Sequence, residues 1–182
     1  ALNEAKRAIA AHLGCRGSDL VLTSGATEAN NLAMAGVYDA EQFRRQPRKR
    51  ILVSSIEHPS VLEAAEALEK RGAQIYQIEV DSKGRVDLTD MHSKLNESTL
   101  LVSLMAANNE VGTLQPITEV AQACRKVGAY CHTDATQWLG RMPINVGEWG
   151  VDLLSANAHK LHGPKGVGVL YIKNSVALAE QQ

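Results

Sequence analysis

The stretch DLLSANAHKLHGPKGVG (residues 152–168) carries the strongest structural and chemical signal in the chain. The apolar residues Val151, Leu153 and Leu154 are typical of a buried strand, and the glycines and proline after Lys160 are typical of a break in the chain. A lysine at the end of a strand, just before such a break, is displayed at a fixed point beside the backbone. A desolvated lysine is a nucleophile for carbonyl carbon, although a surface lysine in a turn is the better explanation of this stretch taken alone.

The composition indicates one globular domain. The chain has 182 residues, of which 45% are hydrophobic and 21% charged, and this is enough to bury a sizeable core. A formal net charge of -1 argues against a nucleic-acid surface and against an anionic membrane partner. No apolar run approaches the roughly 20 residues that a membrane-spanning helix needs. Three cysteines without CxxC spacing (Cys15, Cys124 and Cys131) favour a reduced, intracellular setting over a disulfide framework.

Strand-like and helix-like segments alternate along the chain. An amphipathic helix opens the sequence and ends at Gly14, and charged residues in it exclude a secretory signal peptide. The alternation predicts an α/β fold, a three-layer αβα sandwich whose mainly parallel sheet has helices on both faces. The basic run at 44–50 is interpreted as a solvated linker face. Besides the strand before Lys160, we predict strands at 19–23, 51–55, 73–80, 99–106, 129–133 and 166–172.

An anion site is predicted where the first strand meets the second helix. Ser24, Gly25 and Thr27 form a small-residue turn at the start of this helix. Free N–H groups and the helix dipole favour a negative charge there, and Gly25 lets a ligand approach. A plain capping turn, with Ser24 or Thr27 as the N-cap, explains the same residues.

Two further strand ends carry polar residues with more than one interpretation. His58 precedes a helix that Ser60 can cap, and a histidine in that position acts as a general base or an aromatic platform, or merely bonds to the backbone. Asn108 and Glu110 follow the 99–106 strand, where they form either a ligand site or an Asn-rich turn.

The predicted topology brings these residues together. Ligands of open α/β sheets bind beyond the carboxyl ends of the strands, and Asp134 and Lys160 also follow strands. The combined chemistry matches pyridoxal 5'-phosphate. The helix at Thr27 takes the phosphate, Asp134 keeps the ring nitrogen protonated, His58 stacks on the ring, and Lys160 reacts with the aldehyde.

Five motifs, in order and spacing, resemble the cysteine desulfurases, which are fold-type I pyridoxal-phosphate enzymes of aminotransferase class V. The similarity covers essentially all 182 residues. The motifs are TSGATEANNLA, IEHPSVL, ANNEVGTLQPI, HTDATQWLG and AHKLHGPKGVGVLYI.

The resemblance implies roles for individual residues. Lys160 binds the cofactor covalently and moves protons, and His58 stacks on the ring and acts as an acid or base. Asp134 pairs with the pyridinium nitrogen. Many family members carry serine where Asn157 stands here, and an asparagine still offers an N–H donor. The remaining implied contacts are Ala26, Thr27, Asn157 and His159 to the phosphate, Asn108 and Gln137 to ring substituents, and Ala158 within the same cofactor-binding set.

The resemblance also implies what the whole protein does. It takes sulfur from L-cysteine, yields alanine, and passes a persulfide to sulfur-acceptor or scaffold proteins for iron–sulfur cluster assembly or other sulfur transfer. It is a homodimer in the cytoplasm or an organelle matrix. Residues 1–182 are expected to be the large, pyridoxal-phosphate-binding domain alone. The family's N-terminal segment, persulfide cysteine, substrate-binding arginine and small C-terminal domain are expected to fall outside these residues, so the chain by itself would be inactive or bind the cofactor weakly.

Two other functions compete with this interpretation. The chain could be a non-catalytic interaction or oligomerisation fragment that keeps the fold. It could also be a metalloenzyme, but cofactor roles explain the same residues better and we expect no metal site. The residues concerned are His132, Asp134, His159 and His162.

Overall fold

A computed structural model of the protein describes residues 1–179. The strands are β1 Leu20–Thr23, β2 Arg50–Ser54, β3 Gln74–Ile78, β4 Thr99–Ser103, β5 Tyr130–Asp134, β6 Leu153–Asn157 and β7 Gly168–Ile172. Within the described residues they form one sheet in the order β1-β7-β6-β5-β4-β2-β3. The neighbouring pairs from β6 to β3 are parallel, whereas β7 is antiparallel to both β1 and β6.

Helices cover both faces of the sheet. Their bounds are α1 Leu2–Leu13, α2 Ala26–Gln42, α3 Pro59–Glu69, α4 Leu88–Lys94, α5 Ile117–Val127 and α6 Val146–Trp149. Buried side chains of α1, α4, α5 and α6 pack on one face, and those of α2 and α3 pack on the other. The predicted three-layer α/β fold with a mainly parallel sheet is confirmed. No helix in residues 1–179 is long and apolar enough to cross a membrane.

Glycine allows two backbones to meet near the start of α2. Gly168 opens β7 and pairs with Thr23 on one side and Asn157 on the other. A Cβ atom on Gly168 would lie 2.5 Å from the Cα atom of Gly25. Real Cβ atoms essentially never come so close, so a side chain here would push β7 away from the turn that begins α2.

Three local predictions were wrong. The strand before Lys160 ends at Asn157, and Lys160 lies in a short 3-10 turn, because the Asn157 Oδ1 atom accepts the Lys160 N–H at 3.2 Å. The N-cap of α3 is His58, not Ser60. The basic run is partly structural, because Arg48 Nε donates to buried Glu41 at 3.0 Å and another Arg48 nitrogen donates to the Gly128 carbonyl.

Candidate cofactor site

One cavity of about 300 Å³ opens at the carboxyl edge of the parallel strands. Thr27, His58, Asp134 and Lys160 line it. Asp134 is the last residue of β5, and the other three follow β1, β2 and β6 respectively. The fold therefore brings together the four residues that the sequence assigns to the phosphate, the ring, the ring nitrogen and the aldehyde. Four other residues of the predicted set also line this cavity, namely Ala26, Gln137, Asn157 and His159.

The start of α2 forms the anion-binding end of the cavity. Gly25 is the N-cap, and no side chain within residues 1–179 caps this helix. Ser24 is not the cap, because its backbone N–H and its hydroxyl both donate to the Glu28 carboxylate, at 2.7 and 2.6 Å. These bonds lower the pKa of Glu28. The first-turn N–H groups beside Thr27 thus have no side-chain acceptor, as an incoming anion requires.

His58 has a defined tautomer. Its Nδ1 atom accepts the backbone N–H of Ser60 at 3.1 Å, and the Ser60 hydroxyl lies 2.8 Å from the same nitrogen. A backbone N–H can only donate, so Nδ1 carries no proton. The proton of the neutral ring is consequently on Nε2. The ring lines the cavity and is exposed, in keeping with contact to a ligand.

Asp134 is held rigidly at the end of β5. Its Oδ2 atom accepts a hydrogen bond from the Asn30 side chain at 2.8 Å, and its Oδ1 atom accepts the Thr136 N–H at 2.9 Å. The residue is 95% buried by neighbouring protein, with 5% of its surface exposed. A carboxylate that accepts two hydrogen bonds in a nearly dry site has one orientation.

Lys160 lies at the mouth of the cavity. Lys160 belongs to the 3-10 turn His159–Leu161, and the Asn157 side chain accepts a hydrogen bond from its backbone N–H. The Lys160 side chain is exposed, so the described residues do not desolvate its amine. The reason is that the turn projects beyond the sheet edge, where the strands no longer surround the side chain.

Two predicted contacts do not line the cavity. Both the oxygen and the nitrogen of the Asn108 side-chain amide bond to nearby backbone. The Oδ1 atom accepts the N–H groups of Glu110 and Val111, and the Nδ2 atom donates to the Ile56 carbonyl. Asn108 thus stabilises the turn after β4, and its neighbour Asn109 lines the cavity instead. Ala158 precedes the 3-10 turn, and its N–H donates to the chain entering β7.

Sequence reasoning missed Asn30 and Ser60. Asn30 is fully buried in α2 and bridges Ser60 and Asp134. The available signal was a polar residue on a helix face otherwise formed by small apolar residues such as Ala29 and Ala33. That pattern marks a buried amide but does not reveal its partner.

Two buried ionisable groups lie close to Asp134. Burial raises the pKa of Glu57 from 4.5 to about 8, and the nearby Asp134 charge adds to this. Glu57 Oε1 accepts bonds from the Ser54 hydroxyl and the Met105 N–H. Burial also lowers the pKa of His132 from 6.5 to about 4. His132 is hydrogen-bonded on both ring nitrogens by serine hydroxyls of β4 and β6.

The metal alternative finds no support. Within residues 1–179 no three His, Cys, Asp or Glu side chains converge in an arrangement that could hold a metal ion. His132, which that alternative requires, is enclosed by Ser103 and Ser155.

Comparison with known proteins gives the same family. The model of the family described as aminotransferase class-V matches residues 1–181. The chain is 44% identical to cysteine desulfurase IscS of Dictyoglomus turgidum over 98% of its length and 44% of that protein. It is 40% identical to the mitochondrial cysteine desulfurase of Saccharomyces cerevisiae over 95% of its length and 34% of that protein.

Solved structures agree in fold. A "NIFS-LIKE PROTEIN" superposes with a TM-score of 0.94 at 37% identity, covering 100% of this chain and 50% of that one. "SspA in complex with cysteine" superposes with a TM-score of 0.89 at 33% identity, covering 96% of this chain and 49% of that one. The chain thus spans less than half the length of the curated relatives named above. On these matches and on the fold, the chain belongs to the aminotransferase class-V family.

Proposed function

We propose that residues 1–182 are the pyridoxal-phosphate-binding large domain of a cysteine desulfurase. The whole protein, in this proposal, removes sulfur from L-cysteine, yields alanine and carries the sulfur as a persulfide. The observation that carries the proposal is the convergence of Thr27, His58, Asp134 and Lys160 on one cavity from four separate segments of the chain. The names of the relatives support the choice of reaction and substrate.

The cavity suits pyridoxal phosphate in its chemistry. One end has the uncapped start of α2 for a phosphate, the wall has the rigid carboxylate of Asp134 for a protonated nitrogen, and the mouth has the amine of Lys160 for an aldehyde. A volume of about 300 Å³ falls at the lower end of ordinary ligand pockets. Bound there, the cofactor would supply a ring that withdraws electrons from the substrate's α-carbon.

The residues of the chain perform the remaining tasks. Thr27 and the first turn of α2 bind the phosphate, and Asn157 and His159 border the same cavity. Asp134 holds a proton at the ring nitrogen. His58 presents Nε2–H toward the cavity as an acid, and Lys160 accepts and donates protons at its Nζ atom. Gln137 lines the cavity and would contact the ring oxygen through its Nε2–H group, since its Oε1 atom accepts a hydrogen bond from Arg141 at 2.7 Å.

The thiol that carries the persulfide lies outside the described cysteines in this proposal. Cys124 and Cys131 are buried, Cys15 is partly buried, and none lines the cavity. Burial raises the pKa of Cys15 to about 11, and the hydrogen bond with Cys124, together with burial, raises the pKa of Cys131. Such thiols are poor nucleophiles at neutral pH. The full protein is proposed to be a homodimer of the cytoplasm or an organelle matrix, with sulfur-acceptor or scaffold proteins as partners.

Addition of pyridoxal phosphate to the purified protein tests the proposal. We expect a visible absorbance band, and borohydride followed by peptide mass spectrometry should trap the cofactor on Lys160. Lys160→Ala should abolish both signals. Lys165→Ala is the matched control, because Lys165 is an exposed lysine of the following loop and does not line the cavity. A band that survives Lys160→Ala, or no band at all, contradicts the proposal.

The non-catalytic alternative predicts a different pattern. There, the protein binds a macromolecular partner, Lys160→Ala leaves that binding unchanged, and substitutions on the surface abolish it. Pull-down with the Lys160→Ala variant therefore separates the two functions.

A further inference from the structure

A set of hydrogen bonds connects His58 to Asp134 along the cavity, where Ser60 is also a lining residue. Asn30 Nδ2 lies 2.8 Å from Asp134 Oδ2 and 2.9 Å from Ser60 Oγ. Ser60 Oγ lies 2.8 Å from His58 Nδ1. Asn30 and Ser60, here called the bridge, thus join the residue assigned to the ring face and the residue assigned to the ring nitrogen.

The direction of each bond follows from the donors. The two hydrogens of the Asn30 amide go to Asp134 Oδ2 and Ser60 Oγ, because an amide nitrogen only donates. Ser60 Oγ accepts one of them and directs its own hydrogen to His58 Nδ1, which already accepts the Ser60 backbone N–H. The bridge therefore sets the orientation of a carboxylate and adds a second hydrogen bond to His58 Nδ1, whose tautomer the Ser60 backbone N–H already fixes.

Folding stability does not explain Asn30. The residue is fully buried, and within residues 1–179 its Oδ1 atom has no hydrogen-bond partner. An amide oxygen buried without a partner is destabilising, and the neighbouring positions Ala29 and Ala33 are apolar. A buried polar group that weakens the fold is expected where a functional site requires it.

We propose that Asn30 and Ser60 are positioning residues that orient Asp134 and His58 together toward the cofactor. This inference rests on the proposed cofactor site. Neither residue reacts. Asn30 keeps Asp134 Oδ1 and Oδ2 in fixed directions, and the Ser60 hydroxyl holds the His58 ring through Nδ1, so that its Nε2 proton stays available for transfer.

The test compares variants of the bridge by two measurements. Asn30→Leu replaces the amide by an apolar side chain of similar size, and Ser60→Ala removes one hydroxyl. Asn31→Ala is the control, because Asn31 is the next residue of α2, is exposed and donates only to the Thr27 carbonyl within the helix. We expect each bridge variant to weaken pyridoxal phosphate binding about tenfold, since a hydrogen bond to a charged group is lost or disordered. The control should bind like the unaltered protein.

The second measurement does not need the cofactor. The ¹⁵N resonances of His58 in the cofactor-free protein report whether Nδ1 accepts hydrogen bonds. Ser60→Ala should move the Nδ1 resonance, and Asn30→Leu should move it in the same direction because bonds in a chain polarise one another. Ser60→Thr, which keeps the hydroxyl, should restore both the resonance and the affinity.

The outcomes separate the two proposals. If the unaltered protein does not bind pyridoxal phosphate, the proposed function fails, and the His58 resonances still test the bridge. If it binds and both bridge variants bind equally well with an unmoved His58 resonance, the bridge inference is overturned and the cofactor site stands. An affinity loss in Asn30→Leu with no change in Ser60→Ala also overturns it, since His58 would then be independent of Asp134.

Discussion

Asn30 and Asp134 are 104 residues apart in sequence, and the Asn30 side-chain amide lies 2.8 Å from Asp134 Oδ2. The contact joins the second turn of α2 to the end of β5, across the face of the sheet that α2 and α3 cover. It fixes the position of a carboxylate on which the proposed chemistry depends.

An exchange of these two residues tests whether their bond and their charge have separate effects. Asn30→Asp sets two carboxylates together, and Asp134→Asn sets two amides together, so each should lower the free energy of unfolding by about 1–3 kcal/mol. The double variant restores a donor and an acceptor and should recover most of that loss. Urea unfolding of the cofactor-free protein measures the free energy of unfolding of each variant.

Pyridoxal phosphate affinity should not recover in the same double variant. The carboxylate then belongs to α2, one side-chain length from where the ring nitrogen needs it. Recovery of affinity together with stability would mean that the position of the Asp134 charge is unimportant.

Glu57 predicts a loss of stability as the pH rises. Its pKa is raised by burial from 4.5 to about 8, so between these values the folded state keeps a proton that the unfolded state has lost. Each step in pH then favours unfolding, and the full effect is reached above about pH 8. His132, with its pKa lowered from 6.5 to about 4, makes the free energy of unfolding rise with pH below 6.5. The effect of Glu57 is therefore separate from that of His132 between pH 6.5 and 8.

Glu57→Gln should remove this slope. The amide keeps an oxygen for the Ser54 hydroxyl and the Met105 N–H, and it cannot ionise. Relative to the unaltered protein, the free energy of unfolding of the variant should be higher by on the order of 1–4 kcal/mol at the alkaline end of the interval and nearly the same at the acid end. Urea midpoints across the interval measure the slope, and an unchanged slope would mean that another group causes it.

Arg48 is predicted to be a stabilising member of the basic run. Its partner Glu41 has only 3% of its side chain exposed, and Arg48 also donates to two backbone carbonyls. Arg48→Met should lower the free energy of unfolding by about 3–5 kcal/mol. The loss is smaller if Arg44, which also pairs with Glu41, compensates for the missing charge. Arg45→Met, at an exposed position, should stay within about 0.5 kcal/mol. Equal effects of the two variants in thermal unfolding would contradict the assignment.

Gly168→Ala should disturb both the fold and the anion-binding end of the cavity. The added Cβ atom would lie 2.5 Å from Gly25 backbone atoms and 2.6 Å from Thr23 Oγ1. Separating β7 from the start of α2 should cost about 1–3 kcal/mol or more and weaken the binding of pyridoxal phosphate. Gly17→Ala, whose nearest neighbour would be at 3.6 Å, is the control and should have little effect on either measurement. If Gly168→Ala behaves like the control, the close approach of the Gly168 and Gly25 backbones is not required for stability or for pyridoxal phosphate binding.

Predictions from apolar periodicity were confirmed for the layers of the fold, whereas predictions that depend on individual side-chain hydrogen bonds were not. Apolar periodicity placed each layer of the fold, because a strand or a helix face is recognised from residues two to four positions apart. The shared edge of Asp134 and Lys160 followed from topology, since parallel strands end together. The exact end of the strand before Lys160 was wrong because the Asn157 side chain closes a 3-10 turn there, and the 44–50 run was wrong because Arg48 reaches Glu41.

The amino-acid sequence by itself determined the alternation of strands and helices, the family resemblance and the choice of residues that we propose to be chemically active. Only the tertiary structure decided that Asn30 holds Asp134, that Glu57 is enclosed, and that Asn109 rather than Asn108 borders the cavity. The physical reason is distance along the chain. Hydrogen bonds and desolvation depend on which groups come within a few ångströms in space, and residues as far apart as Asn30 and Asp134 leave no local pattern of such a contact.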